Sequence, residues 1–286
     1  MIGKENYMKR IFAAIVALAT TISLGACSNN APGQSQNQFG TTESHEVAIG
    51  EYLQKNSKVP LLWVVVDGTT PDKEMDVREA FVFKDGKVKS YNFGDEDRID
   101  LTLGELAKLD TKEAIQLLEE NYYSKLRTLY QNKLEYWRDH EVADSSDLME
   151  DSVTAEDKQK IISELESFKS VLDSHKLKSF PYSINLETDS SGNFTSIEHI
   201  NFDTEQIYVG EYLYEGSGTG FSTEEKEMEL TYTYFGENMI YDTPYAVFST
   251  EMSDRLVLLS LKHETAPYPT LVFDEPDTKL ENVTID

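Results

Sequence analysis

PLLWVVVDG, Pro60 to Gly68, places six apolar residues in a row from Leu61 to Val66, three of them β-branched. A strand with one wet face alternates apolar and polar residues. This one does not alternate, so it reads as a strand buried on both faces and closed by Asp67-Gly68. Such a strand needs a sheet around it and a further layer over that sheet.

The next segments supply both. Glu79 to Lys84 and Lys87 to Phe93 flank Asp85-Gly86, a two-residue hairpin signal. Phe81 and Phe83 share one face of the first arm, and Tyr91 and Phe93 one face of the second, a period of two that reads as core. Two capping-box patterns follow, Thr102 to Glu105 and Asp110 to Glu113. From Thr111 to about Asp139, Ile115, Leu118, Tyr122, Leu126 and Leu129 recur at helical spacing, with Trp137 near the end. A second helix from Thr154 to about Ser174 carries Ile161, Leu165, Phe168 and Leu172 as one stripe. The segment between them, Asp139 to Val153, is acidic and reads as an exposed connection. An antiparallel helix pair packed on the preceding sheet is expected.

The last hundred residues read as β. Strands are expected at Ser183 to Glu187, Phe194 to Phe202, Gln206 to Tyr214, Glu229 to Phe235, Tyr245 to Ser249, Leu256 to Lys262 and Thr270 to Phe273. Short strands at this spacing suit an antiparallel sheet, a sandwich or a partial barrel. The expected class is α+β: an N-terminal β-hairpin sheet packed against an antiparallel helix pair, followed by a C-terminal antiparallel β region. The division expected is 49–176 and 177–286.

The N-terminus follows a different logic. Lys9-Arg10 precede the apolar run Ile11 to Leu24, which is shorter than the roughly 20 residues a membrane span needs. A basic start, an apolar middle and small residues before a cut describe an export signal over residues 1–26, with either Met1 or Met8 as the start. The four residues Leu24-Gly25-Ala26-Cys27 closely resemble the lipobox of bacterial lipoproteins, a likeness covering the first 27 residues. It implies cleavage between Ala26 and Cys27 and transfer of a diacylglycerol to the Cys27 thiol. Acyl chains such as palmitate would then anchor the exported protein to the outer face of the cytoplasmic membrane. Two chains give stable anchoring where one does not.

Cys27 is the only cysteine, so the mature chain has none left for a disulfide, a thiol nucleophile or a thiolate metal site. Residues 27–48 are rich in Ser, Asn, Gln and Gly and read as a lipidated flexible tether spanning roughly 25 Å.

The chain holds 26 basic and 52 acidic residues, a net of −26. Loss of Lys4, Lys9, Arg10 and Glu5 with the leader leaves 23 basic against 51 acidic, a net of −28. Such a field repels nucleic acid and favours cations and basic peptides. Nucleic acid is excluded as a partner.

Catalytic patterns are mostly missing. Three His-Glu pairs, His45-Glu46, His140-Glu141 and His263-Glu264, lack the second histidine that a zincin helix needs, because Ile49, Asp144 and Pro267 stand there. Around Ser217 the flanking Glu215 and Thr219 break the nucleophile-elbow pattern. Asp95, Asp97 and Asp100 are the best cation candidates, three carboxylates at a spacing that could begin a calcium site, although the order of an EF-hand fails. Tyr212 and Tyr214 on one strand, and Tyr232 and Tyr234 on another, present faces able to hold a glycan or extended peptide.

These observations rank a non-enzymatic surface lipoprotein that binds a protein, peptide or glycan above two alternatives. One is an exported hydrolase acting on cell wall or peptide, for which no convergent constellation can be assembled. The other is a solute-binding lipoprotein of a transporter, which would show two lobes built on parallel sheets.

Overall fold

The computed structural model describes residues 45–93, 98–139, 154–209, 219–250 and 254–285, with backbone only at 208 and 232–238. In chain order the elements are β1 (Glu46–Ala48), α1 (Ile49–Lys55), β2 (Leu61–Asp67), β3 (Val77–Lys84) and β4 (Lys87–Tyr91), then three helices, α2 (Leu103–Ala107), α3 (Thr111–Asp139) and α4 (Ala155–Ser174). The rest is β: β5 (Phe180–Thr188), β6 (Thr195–Tyr208), β7 (Gly220–Ile240), β8 (Thr243–Ser249), β9 (Arg255–Ser260), β10 (Thr270–Val272) and β11 (Val283–Ile285). The class is α+β.

The strands from β2 to β9 pair in chain order, each antiparallel to the next. β9 returns to pair with β2, so the sheet closes into an eight-stranded meander barrel. Closure removes the free edges that an open sheet would expose. The seam is weakest between β4 and β5, where only Lys87–Pro181 and Val88–Phe180 are paired. There the chain leaves the barrel for the three helices, and β11 adds in parallel to the stretch Ile184 to Leu186 of β5.

Two apolar clusters show why β2 is apolar at every position. Leu61, Trp63 and Val65 point into the barrel with Phe81 and Phe83 of β3, Ile200 and Phe202 of β6, and Phe248 of β8. An eight-stranded barrel is just wide enough for side chains to fill it, and these do. The alternate residues Leu62, Val64 and Val66 point outward, onto Leu118, Tyr122 and Leu126 of α3 and Leu165 of α4. The helices thus form an outer layer over part of the barrel wall. Ion pairs of Arg138 with Glu166 (2.8 Å) and of Arg127 with Asp173 (3.9 Å) set α3 and α4 antiparallel. All four residues of the stripe Ile161, Leu165, Phe168 and Leu172 are buried.

One sheet takes strands from both sides of position 176, and Thr42–Asp286 is one compact unit. The boundary expected at 176/177 therefore falls between a helix and a strand of the same unit. No local pattern could reveal this, because β2 and β9 lie almost two hundred residues apart in sequence. A second difference concerns residues 46–48, expected as the end of the tether. They form β1, which pairs in parallel with β10, Glu46 with Thr270 through Ala48 with Val272. Val47 is buried against Leu53 and Leu271, which supplies the apolar area that a tether lacks. A third concerns β6, which is one strand of 14 residues where two shorter ones were expected around Phe202 and Gln206.

β1, α1 and β10 contribute Val47, Ile49, Leu53 and Leu271 to the interior cluster and close the barrel end where β2 begins. Asp85 in the β3–β4 turn, with φ of 53°, donates its backbone N–H to the Ser57 carbonyl there (2.6 Å). Toward the other end the interior turns polar. Lys226 of β7 reaches across to Glu79 of β3, a strand it does not adjoin, and Arg255 lies 3.7 Å from Asp67.

Candidate functional site

The closed end holds two buried acids that the sequence reading did not single out. On β6 the inward positions are Glu198, Ile200 and Phe202, so strand alternation puts a carboxyl among core residues. Glu198 is fully buried and Asp274, just after β10, is 1% exposed. The Asp274 backbone N–H donates to Glu198 Oε2 at 3.0 Å. The Gly50 N–H in α1 donates to Asp274 Oδ2 at 2.6 Å, and the Thr195 hydroxyl donates to the Asp274 carbonyl at 2.5 Å. A Cβ at position 50 would stand 2.8 Å from Asp274 Oδ2 and 3.0 Å from Leu280 Cδ1, so glycine is what permits this approach.

Each acid keeps one buried oxygen, Glu198 Oε1 and Asp274 Oδ1, without a hydrogen-bond partner among the described residues. Leaving a buried acceptor unmatched costs about 1–3 kcal/mol, more for a charged one. Such surroundings disfavour the charged form of a carboxyl. Burial, and then the neighbouring Asp274 charge, push Glu198 well above the ordinary 4.5. Burial likewise raises Asp274 above 3.8, with the Gly50 N–H opposing and Glu51 adding to the rise.

A raised carboxyl stabilises the fold below its unfolded value and loses that contribution as pH climbs through the folded one. The melting temperature of the wild type should therefore fall relative to that of Glu198→Gln as pH rises from about 4 to about 8. Paired thermal melts across that range check this, and a constant difference between the two proteins would contradict it.

Asp274 lines a pocket of about 630 Å³, walled by Phe194, Phe248, Leu271 and Phe273 and rimmed by Glu46 and Glu275. Phe194 sits in the β5–β6 turn with 69% of its surface exposed, and both rim glutamates are exposed. Among the described residues no basic side chain lines it. A smaller pocket of about 230 Å³ lies beside Glu79, Lys226, Arg255 and Thr250, where charges of both signs occur together.

The residues expected to bind fare differently. Asp100 is exposed and its carboxylate meets Lys125 Nζ at 3.2 Å, so a lysine already balances it. Asp95 and Asp97 lie outside the described residues, as do Tyr212, Tyr214, Ala26 and Cys27. Tyr232 and Tyr234 fall on β7 where its pairing passes from β6 to β8, with register shifts between Thr231 and Glu237. Their side chains are also outside the described set. A different acidic group gathers on the outer wall of the barrel. His199 has Nε2 3.0 Å from Glu187 and Nδ1 3.3 Å from Glu227, with Glu229 close by. Both imidazole nitrogens face carboxylates of the protein.

No family model matches the chain, and no match was found to a curated protein or to a solved structure. The functional reading rests on the residues themselves. Strand alternation alone could have flagged Glu198, since it shares the core face of Ile200 and Phe202. Asp274 carries no such signal, because its partner is 76 residues away.

Proposed function

We propose that the chain is a bacterial lipoprotein, tethered through diacylated Cys27 to the outer face of the cytoplasmic membrane. Its folded part works there as a non-enzymatic binding module. The ligand enters the pocket between β1, β10 and the β5–β6 turn.

One observation carries the proposal. The barrel interior is filled by side chains, whereas its closed end keeps an open pocket of about 630 Å³ with an exposed phenylalanine at the mouth and a buried carboxyl in the wall. Ligand sites of this kind are concave, mainly apolar and carry a few convergent polar groups. Its volume falls within the roughly 300–1,000 Å³ usual for small-molecule sites.

A photoreactive amino acid placed at Phe194 in cells should capture a ligand, read as a defined mass increase of the purified protein. The same group at Val171, exposed on α4 and not among the residues that line the pocket, should not. Ala48→Trp, which fills the pocket wall, should remove the Phe194 adduct. Equal labelling at both positions, or none at Phe194, would overturn the proposal.

A further inference from the structure

We propose that the pocket at the closed end takes a primary ammonium group carried on an apolar body, as a lysine side chain or an amine-bearing small molecule presents it. The inference rests on the pocket being the binding site and names the chemistry of its occupant.

Asp274 is 1% exposed, stands in the pocket wall and keeps Oδ1 without a partner among the described residues. Glu198 lies directly behind it, bound to the Asp274 N–H, and keeps Oε1 in the same condition. Buried acceptors of this kind call for a donor. Among the described residues the protein supplies only Gly50 N–H to the other Asp274 oxygen, and no lysine or arginine lines the pocket. At the opposite end of the barrel the comparable acid, Glu79, has its own lysine, Lys226, and needs no external cation.

Three further features select an organic cation over a metal ion. Calcium takes six to eight oxygens at short range, whereas this wall is mostly aromatic and aliphatic. The volume is many times that of a bare ion and fits an apolar body. Phe194, Phe248 and Phe273 line it with aromatic rings, whose faces attract a cation electrostatically. The exposed rim glutamates Glu46 and Glu275, and the net charge of −26, draw cations toward the mouth. An ammonium and a proton compete for the same carboxyls, so binding displaces any proton carried there and strengthens as pH rises.

Isothermal titration of the full chain with phenethylammonium, 2-phenylethanol and phenylacetate tests this with one shape and three charges. The expected result is that the ammonium binds at least about tenfold more tightly than the alcohol, that the carboxylate does not bind, and that heats in buffers of different ionisation enthalpy report proton release. Asp274→Asn should bring the ammonium down to the affinity of the alcohol. If that variant does not fold, the three-ligand series on the wild type still decides. Equal affinity for ammonium and alcohol overturns the inference and leaves the pocket as the binding site. A preference for ammonium that survives Asp274→Asn overturns the assignment to this acid pair. Binding of none of the three by the wild type removes both the inference and the reading on which it rests.

Discussion

Cys27→Ser should abolish incorporation of labelled palmitate and leave a precursor heavier by the mass of the leader. The reason lies in the nucleophile. A thiol ionises near pH 8.5, and its thiolate attacks where a serine hydroxyl, similar in size, stays protonated. Cys27 is the only sulfhydryl in the chain, so no other residue can take over. Anchoring then changes in kind, because each buried methylene of an acyl chain contributes about 0.8 kcal/mol and two chains hold a protein stably. Metabolic labelling followed by gel mobility reads both effects at once. Labelling that persists in the serine variant, or a wild type that carries no lipid, would contradict the lipoprotein reading.

The second large effect is expected inside the barrel. Trp63→Ala should destabilise the folded unit by about 3–5 kcal/mol, the usual cost of emptying a buried aromatic site. Trp63 is fully buried on β2, opposite Phe81 on β3 and Leu259 on β9. Its ring stacks on Phe248 across the interior at 6.0 Å and meets Phe83 at 5.6 Å. A closed ring of strands cannot collapse around the missing indole without breaking its own ladder, so most of the cavity persists. For a unit of this size the melting temperature should drop by about 10 °C or more. Trp63→Phe should cost much less. It keeps a ring in place and removes an indole N–H that is buried without a hydrogen-bond partner among the described residues. Tyr136→Ala, on an exposed part of α3, serves as the neutral comparison. Urea and thermal unfolding of the four proteins measure the series. A loss below about 1 kcal/mol for Trp63→Ala would mean that the barrel interior is not the stabilising core.

Local chemistry explains which parts of the fold were legible in the chain. At Thr102 and Glu105, side chain and backbone satisfy each other within three residues, and the capping box forms as the pattern implies. Asp110 and Glu113 do the same at the start of α3. Asp85-Gly86 reverses the chain with positive φ at both residues, which Asp tolerates and Gly adopts freely. The run Leu61 to Val66 announced burial on both faces, and both faces are buried. Each of these signals depends on residues within a few positions of one another, so reading along the chain is enough.

Tertiary structure decided the rest. Nothing near Leu61 shows that the second neighbour of its strand begins at Arg255, so the step from open sheet to closed barrel was invisible. The same holds for β1, whose three residues look like tether until Thr270 to Val272 pair with them. The acid pair is the clearest case. Glu198 and Asp274 are two of 52 acidic residues in the chain, and only closure of the barrel brings one against the other beside Gly50. By itself the sequence determined the mixed class, the helices and the tight turn, because backbone hydrogen bonding and hydrophobic period are local. The ring of eight strands and the pocket with its buried carboxyls belong to the tertiary structure alone, because partners far apart in sequence meet only when the whole apolar interior is buried at once.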